Sequence, residues 1–160
     1  MKTAKDNGRW TMFAPKNILV PTDFSKYSDK ALKEAVDIAA QYGSKIYLLH
    51  VVDQQVQECA IDYCLSYEVV QSLKKESLKT SKENLEKEAG KITKGKKIKV
   101  TFDVKTGIPA EAILSEQKAK KIDLIVIASH GKTGLLKHLM GSVAEKVVKG
   151  AKCPVVVVKP

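Results

Sequence analysis

Ile122-Asp-Leu-Ile-Val-Ile-Ala128 carries a single charge in seven residues and is broken at once by Ser129-His130-Gly131. An apolar run of that length, rich in β-branched residues, reads as a strand covered on both faces, which is the habit of a parallel sheet. Upstream of it, Gly107 and Pro109 mark a turn and a helix start, with proline suited to the first helical position, and the helix runs to about Lys121. Downstream, Ser129 to Met140 reads as a long loop, Ser142 to Lys149 as a short helix ended by Gly150, and Pro154 to Lys159 as a valine-rich last strand.

The N-terminal half repeats this rhythm. Asn17 to Val20 is a short buried strand ending at Pro21, and helical spacing follows at Ala31, Leu32, Ala35, Val36 and Ala39. Ser25 or Ser28 can cap that helix, and Gly43 stands just past its end, where a left-handed residue is wanted. Lys45 to Val52 is a second buried strand. Gln54 to Tyr63 has no clear period and reads as a variable loop. Val70, Leu73, Leu78, Leu85 and Ala89 then recur in a lysine and glutamate background, as on a long amphipathic helix. Lys91 to Lys97 reads as a basic turn, and Ile98, Val100, Phe102 and Val104 alternate with polar residues as on an edge strand. Strictly alternating strands and helices predict an α/β fold with a five-stranded parallel sheet and helices on both faces. Met1 to Ala14 lie outside the pattern and read as a flexible arm ahead of one domain over residues 15–160.

With 160 residues, one core is the expectation. No apolar stretch approaches the roughly 20 residues of a membrane span, and the first 13 residues are too polar for a secretory signal. Cys59, Cys64 and Cys153 have no framework spacing, so reduced thiols and a cytoplasmic location are expected. The net charge of +10 attracts anions, but 27 of the 28 basic residues are lysine. Base readout leans on the bidentate arginine fork, so nucleic acid is an unfavoured partner, and Lys91 to Lys99 would be the segment to test for it.

In open parallel sheets, ligands sit beyond the carboxyl ends of the strands. Two segments occupy such ends: Pro21-Thr22-Asp23, and Ala128-Ser129-His130-Gly131 with Gly141-Ser142 following. Gly131 and Gly134 permit close backbone approach, Gly141-Ser142 opens a helix whose free N–H groups suit a phosphate, and Lys132, Lys137 and His138 add positive charge. Ser142 to Glu145 also fits a capping box that needs no ligand. Asp23 suits ribose hydroxyls or a divalent cation, or it merely starts a helix. Gly131-Lys132-Thr133 is not a P-loop, because Val126 stands where its first glycine belongs. Ser129 and His130, as neighbours, are expected to point apart, and with no nucleophile elbow a hydrolase triad is not expected. His50 reads as a hydrogen-bonded core residue.

Taken together, Asn17-Ile-Leu-Val-Pro-Thr-Asp23, Leu48-Leu-His-Val-Val52, Gly107-Ile-Pro109, Asp123-Leu-Ile-Val126, Ser129-His-Gly131, Gly141-Ser-Val-Ala144 and Pro154-Val-Val-Val-Val158 resemble the universal stress proteins in order and spacing, over about Lys16 to Lys159. The resemblance implies strand order 3-2-1-4-5. In the ATP-holding branch it implies a fingerprint whose positions fall here on Ala128, in place of the first glycine, and on Gly131, Gly141 and Ser142. It implies Pro21, Thr22 and Asp23 flanking adenine and ribose, Val51 meeting adenine through its backbone, and Gly131, Gly141, Ser142 and Val143 on the phosphates. The adjoining His130 and Lys132 join that set. The expected ligand is ATP, or AMP or ADP, with Mg²⁺ or Mn²⁺ held by Asp23 and the phosphates. Pairing through Val155 to Val158 would make a homodimer and cover an apolar sheet edge. The expected role is a stress-response or regulatory module with a protein partner of unknown identity. A dimeric interaction protein whose pocket is empty or holds AMP is the alternative, and a slow ATPase is another.

Overall fold

The computed structural model describes residues 13–53, 66–93, 97–132 and 140–160. The chain runs β1 (Asn17–Thr22), α1 (Lys26–Tyr42), β2 (Lys45–Asp53), α2 (Tyr67–Thr93), β3 (Lys99–Gly107), α3 (Pro109–Ala119), β4 (Leu124–Ala128), α4 (Ser142–Gly150) and β5 (Val155–Val158). All the strand pairings are parallel, in the order β3-β2-β1-β4-β5. The expected order is therefore observed, and the chain reverses its direction of winding between β1 and β4.

The two-residue period of a strand sends neighbouring side chains to opposite faces. Ile18 and Val20 of β1 pack with Ile46, Leu48, Val126, the α1 residues Ala31, Leu32, Ala35 and Val36, and Leu85 of α2. Leu19, between them, packs on the other face with Ile125, Ile127, Ile113 of α3 and Val147 of α4. All five residues of β4 are buried, as a strand between two helical layers must be. Asp123 fastens the base of the sheet, accepting the Lys16 N–H at 3.0 Å and the Asn17 N–H at 3.2 Å across the β1/β4 seam.

Ser25 caps α1 in a capping box with Ser28, and Gly43 terminates it at φ 68°. Pro109 opens α3 as expected. Three expectations need correction. Lys91 to Thr93 are helical, so the basic segment begins as the last turn of α2 and not as a turn; residues 94–96 lie outside the described residues. Leu73 is 47% exposed and Leu78 only half-buried, so the buried stripe of α2 is Val70, Leu85 and Ala89. Gly150 lies inside α4, which ends at Ala151 in extended conformation, and its missing side chain matters for packing: a Cβ there would stand 2.6 Å from Leu114 Cδ1 of α3. The loop read over Gln54 to Tyr63 and most of the N-terminal arm lie outside the described residues.

Leu85 is fully buried and fixes α2 to the sheet. Leu85→Ala is expected to lower stability by about 2–5 kcal/mol, the range for truncating a buried leucine. Urea unfolding monitored by far-ultraviolet circular dichroism measures it, and a change below 1 kcal/mol would mean that α2 contributes little to the core.

Candidate functional site

The switch in winding leaves the carboxyl ends of β1 and β4 side by side, with the start of α4 above them. A cleft of about 270 Å³ opens there. Pro21, Thr22 and Asp23 supply its β1 wall, Val51 its β2 corner, Ala128, His130, Gly131 and Lys132 its β4 rim, and Gly141, Ser142 and Val143 its roof. Every residue named in the sequence for the nucleotide site lines this one cleft; Gly134, Lys137 and His138 lie outside the described residues. Its apolar floor was not anticipated: Leu49, Ile127, Pro109 and Ile113 contribute to it. The signal was available, since Ile127 lies near the carboxyl end of β4, and Leu49, in register with Pro21 at the middle of β2, packs with it on the α3/α4 face.

Asp23 joins the two walls. Its Oδ2 accepts the Lys132 N–H at 2.7 Å, and its Oδ1 accepts the Ser25 N–H at 3.1 Å. Burial pushes this carboxyl up, but the hydrogen bonds from Ser25, Lys132 and Ser28 outweigh it and hold the group below its ordinary value. Asp23 is thus a held carboxylate, and the helix cap is Ser25. Gly131 is required beside it, because a Cβ at that position would lie 2.7 Å from Asp23 Oδ2. The next residue, Phe24, takes φ 61°, which bulky residues rarely adopt. Its N–H donates to Thr22 Oγ1 at 3.0 Å, and its ring rests on His50 at 4.4 Å between centroids. Those contacts hold the strained turn. His50 stands 2.8 Å from the Thr22 carbonyl, which can only accept, so Nδ1 carries the hydrogen. Burial lowers the imidazole's affinity for a second proton. His50 is hydrogen-bonded as expected, but it is half-buried at the edge of the core and not within it.

On the β4 side two expectations fail. Ser129 and His130 do not point apart: Ser129 Oγ and His130 Nδ1 are hydrogen-bonded at 2.8 Å, because the strand has ended and its alternation no longer applies. Ser142 is not the cap of α4. Gly141 holds that position in extended conformation, with its N–H on the Ser129 carbonyl at 2.8 Å, and no side chain among the described residues caps the helix. The first N–H groups of α4 therefore face the cleft without a side-chain partner from a cap, which is the arrangement that receives anions. Ala128 lines the cleft, yet it belongs to the core cluster of the α1 face, with Val20 and Leu48. Among the described residues no group of three or more His, Cys, Asp or Glu could hold a metal ion.

Comparison with known proteins agrees with this architecture. The model of the universal stress protein family matches residues 15–159. Universal stress protein MJ0531 of Methanocaldococcus jannaschii is 39% identical over 144 residues, covering 90% of this chain and 82% of the relative. A solved structure of MJ0577, a universal stress protein of the same organism, superposes with a TM-score of 0.74 at 33% identity, over 92% of this chain and 98% of that one. The fold recurs, at 21% and 20% identity and TM-scores of 0.63 and 0.54, in a universal stress protein in complex with cAMP and in one from Archaeoglobus fulgidus in complex with dAMP. The chain belongs to the universal stress protein family.

Proposed function

We propose that this protein holds an adenine nucleotide, ATP in the first instance, in the cleft between β1 and β4, and acts as a dimeric regulatory module in the cytoplasm. The observation that carries the reading is the convergence of a held carboxylate, a side-chain-free Gly131 and an uncapped helix start on one cleft with an apolar floor. These are the groups that ribose, polyphosphate and a flat base require. The complexes of two same-fold proteins with cAMP and dAMP are of the same ligand class.

In this reading Pro21, Thr22 and Val51 border the base and Asp23 accepts from the ribose hydroxyls. Backbone N–H groups at Gly131, Ser142 and Val143 donate to phosphate oxygens, with Gly141 keeping the approach open, and His130 and Lys132 face the charge. Each Asp23 oxygen keeps a lone pair after its backbone bond, so Mg²⁺ or Mn²⁺ brought in by the phosphates has a protein ligand there. At the far edge of the sheet, β5 has no neighbour beyond it among the described residues and Val156 is 38% exposed. That edge supports a homodimer paired through Val155 to Val158, with the nucleotide altering the surface offered to a protein partner.

Calorimetric titration with ATP, ADP and AMP, with and without Mg²⁺, tests the reading. Micromolar binding is expected, and no heat from any nucleotide would end it. The same titration on Ala128→Gly isolates the altered fingerprint position. Because Ala128 packs into the α1-side core, its loss is expected to change affinity less than about threefold while lowering stability by about 1 kcal/mol. A tenfold gain in affinity would instead mean that the methyl group obstructs the ligand.

A further inference from the structure

Behind the cleft, between α1 and α2, lies a second hollow of about 400 Å³ whose wall includes Phe24, Leu32 and Ile92 and which contains two carboxyl groups, Asp29 of α1 and Glu88 of α2. Glu88 Oε2 is shielded from solvent and has no hydrogen-bond partner. The polar groups around the Glu88 carboxyl are the Asp29 carboxyl, at the exposed rim of the hollow, the Thr22 hydroxyl and the Lys91 ammonium. Two ionised carboxylates can only accept, so facing each other they leave that oxygen unsatisfied and repel. One proton resolves both defects, because a protonated Glu88 carboxyl becomes a donor to Asp29. Asp29 sits in the first turn of α1, where the free N–H groups favour negative charge, so the proton resides on Glu88.

We propose that Glu88 and Asp29 share one proton across the α1/α2 seam, and that its release is transmitted through Thr22 to the β1–α1 turn, making the mouth of the cleft sensitive to pH. The seam stands on its own geometry; the consequence for ligand binding rests on the nucleotide reading above. Thr22 is the connecting residue. Its hydroxyl donates to Ser28 Oγ at 3.1 Å and accepts the Phe24 N–H at 3.0 Å, and Phe24 directly follows Asp23, which holds Lys132. An ionised Glu88 competes with Ser28 for the Thr22 hydroxyl hydrogen and is repelled by Asp29, which loosens the strained turn from behind.

The groups around the seam agree with a proton held near neutrality. Burial and the Asp29 charge push Glu88 up to about 7, against the pull of Lys91 and the Thr22 hydroxyl. Lys33 of α1 and Lys87 of α2 also border the hollow, and His50 of β2 lies beneath Phe24. β3 turns apolar Val100 and Val104 to this side.

The experiment is a nuclear magnetic resonance titration of the full chain from about pH 5.5 to about pH 8.5, following the Glu88 carboxyl carbon and the amides of Phe24, Ser25 and Lys132. All four signals are expected to move together with a midpoint near 7. In Glu88→Gln, whose amide donates to Asp29 permanently, the three amides should stop titrating. A Glu88 midpoint in the ordinary carboxylate range would overturn the shared proton. Amides that keep a neutral midpoint in Glu88→Gln would assign their movement to an imidazole and overturn the transmission. AMP affinity is expected to fall about threefold between pH 6 and pH 8 in the native protein and to stay level in the variant. Absence of AMP, ADP and ATP binding at both pH values would refute the nucleotide reading, while the amide titration still decides the proton pair.

Discussion

Gly141→Val is expected to weaken ATP binding by at least about a hundredfold. A Cβ at Gly141 would stand 3.2 Å from the Ser129 carbonyl and 3.8 Å from His130 Cα, so the tip of β4 and the start of α4 have room for a methyl group only if both give slightly. Valine adds two further carbons. They either enter the cleft or force the helix start away from Ser129, whose carbonyl now receives the Gly141 N–H at 2.8 Å. In both cases the N–H groups of Ser142 and Val143 lose their aim at the phosphates. A hydrogen bond to a charged group contributes about 1.5–3 kcal/mol, and two such losses amount to two to four powers of ten in affinity. Gly141→Ala should fall between the native protein and the valine variant. Calorimetry gives the affinities, and thermal unfolding confirms that each variant is folded. A folded Gly141→Val protein with native affinity would show that the phosphates do not sit under α4.

The resemblance predicts the strand order, and the sequence marks both walls of the cleft, for a physical reason. Strand ends in a parallel sheet are announced locally, by an apolar run and then by residues that break it, as at Ala128-Ser129; at β1 the break is read two residues early, because Pro21 and Thr22 stay in register with Leu49 and His50 of β2. Parallel topology puts those ends on one edge of the sheet, and the strand order that the resemblance implies sets β1 beside β4, so that Asp23 and Gly131, 108 positions apart, are expected as neighbours. Single-residue geometry was not. Whether Gly141 or Ser142 caps α4 depends on where the chain descends from β4, which the Ser129 carbonyl fixes. No glycine or asparagine signals the positive φ at Phe24; the Thr22 hydroxyl and the His50 ring impose it. The pairing of Glu88 with Asp29 depends on the rotation of α2 about its axis. In a helix rich in lysine and glutamate the apolar period overstates the buried stripe at Leu73 and Leu78, and the acidic seam beside Leu85 is hidden among ordinary surface charges.

Asp23→Ala is expected to cost affinity and stability together, and the two losses separate by a choice of ligand. In the folded protein the carboxylate holds the N–H groups of Lys132 and Ser25, and removing it leaves both donors without that partner in a partly buried turn. A loss of about 1–3 kcal/mol in stability follows. Because the folded carboxyl lies below its ordinary value of 3.8, this contribution is fully present above that pH and disappears as the pH falls through the lower, folded value. The gap between native and Asp23→Ala proteins should therefore be constant near neutrality and close in the acid limb, which denaturant unfolding at stepped pH would record. For binding, a carboxylate accepting from ribose hydroxyls gives a loss of about ten- to a hundredfold for AMP on Asp23→Ala. Binding of dAMP, which offers one ribose hydroxyl fewer, should already be weaker in the native protein and lose less on the same substitution. This crossing of ligand and residue is a double-mutant cycle, and its coupling term belongs to the contact between Asp23 and that hydroxyl. Equal losses for AMP and dAMP would instead assign Asp23 to holding Gly131 and Lys132 in place, with the sugar read by other groups.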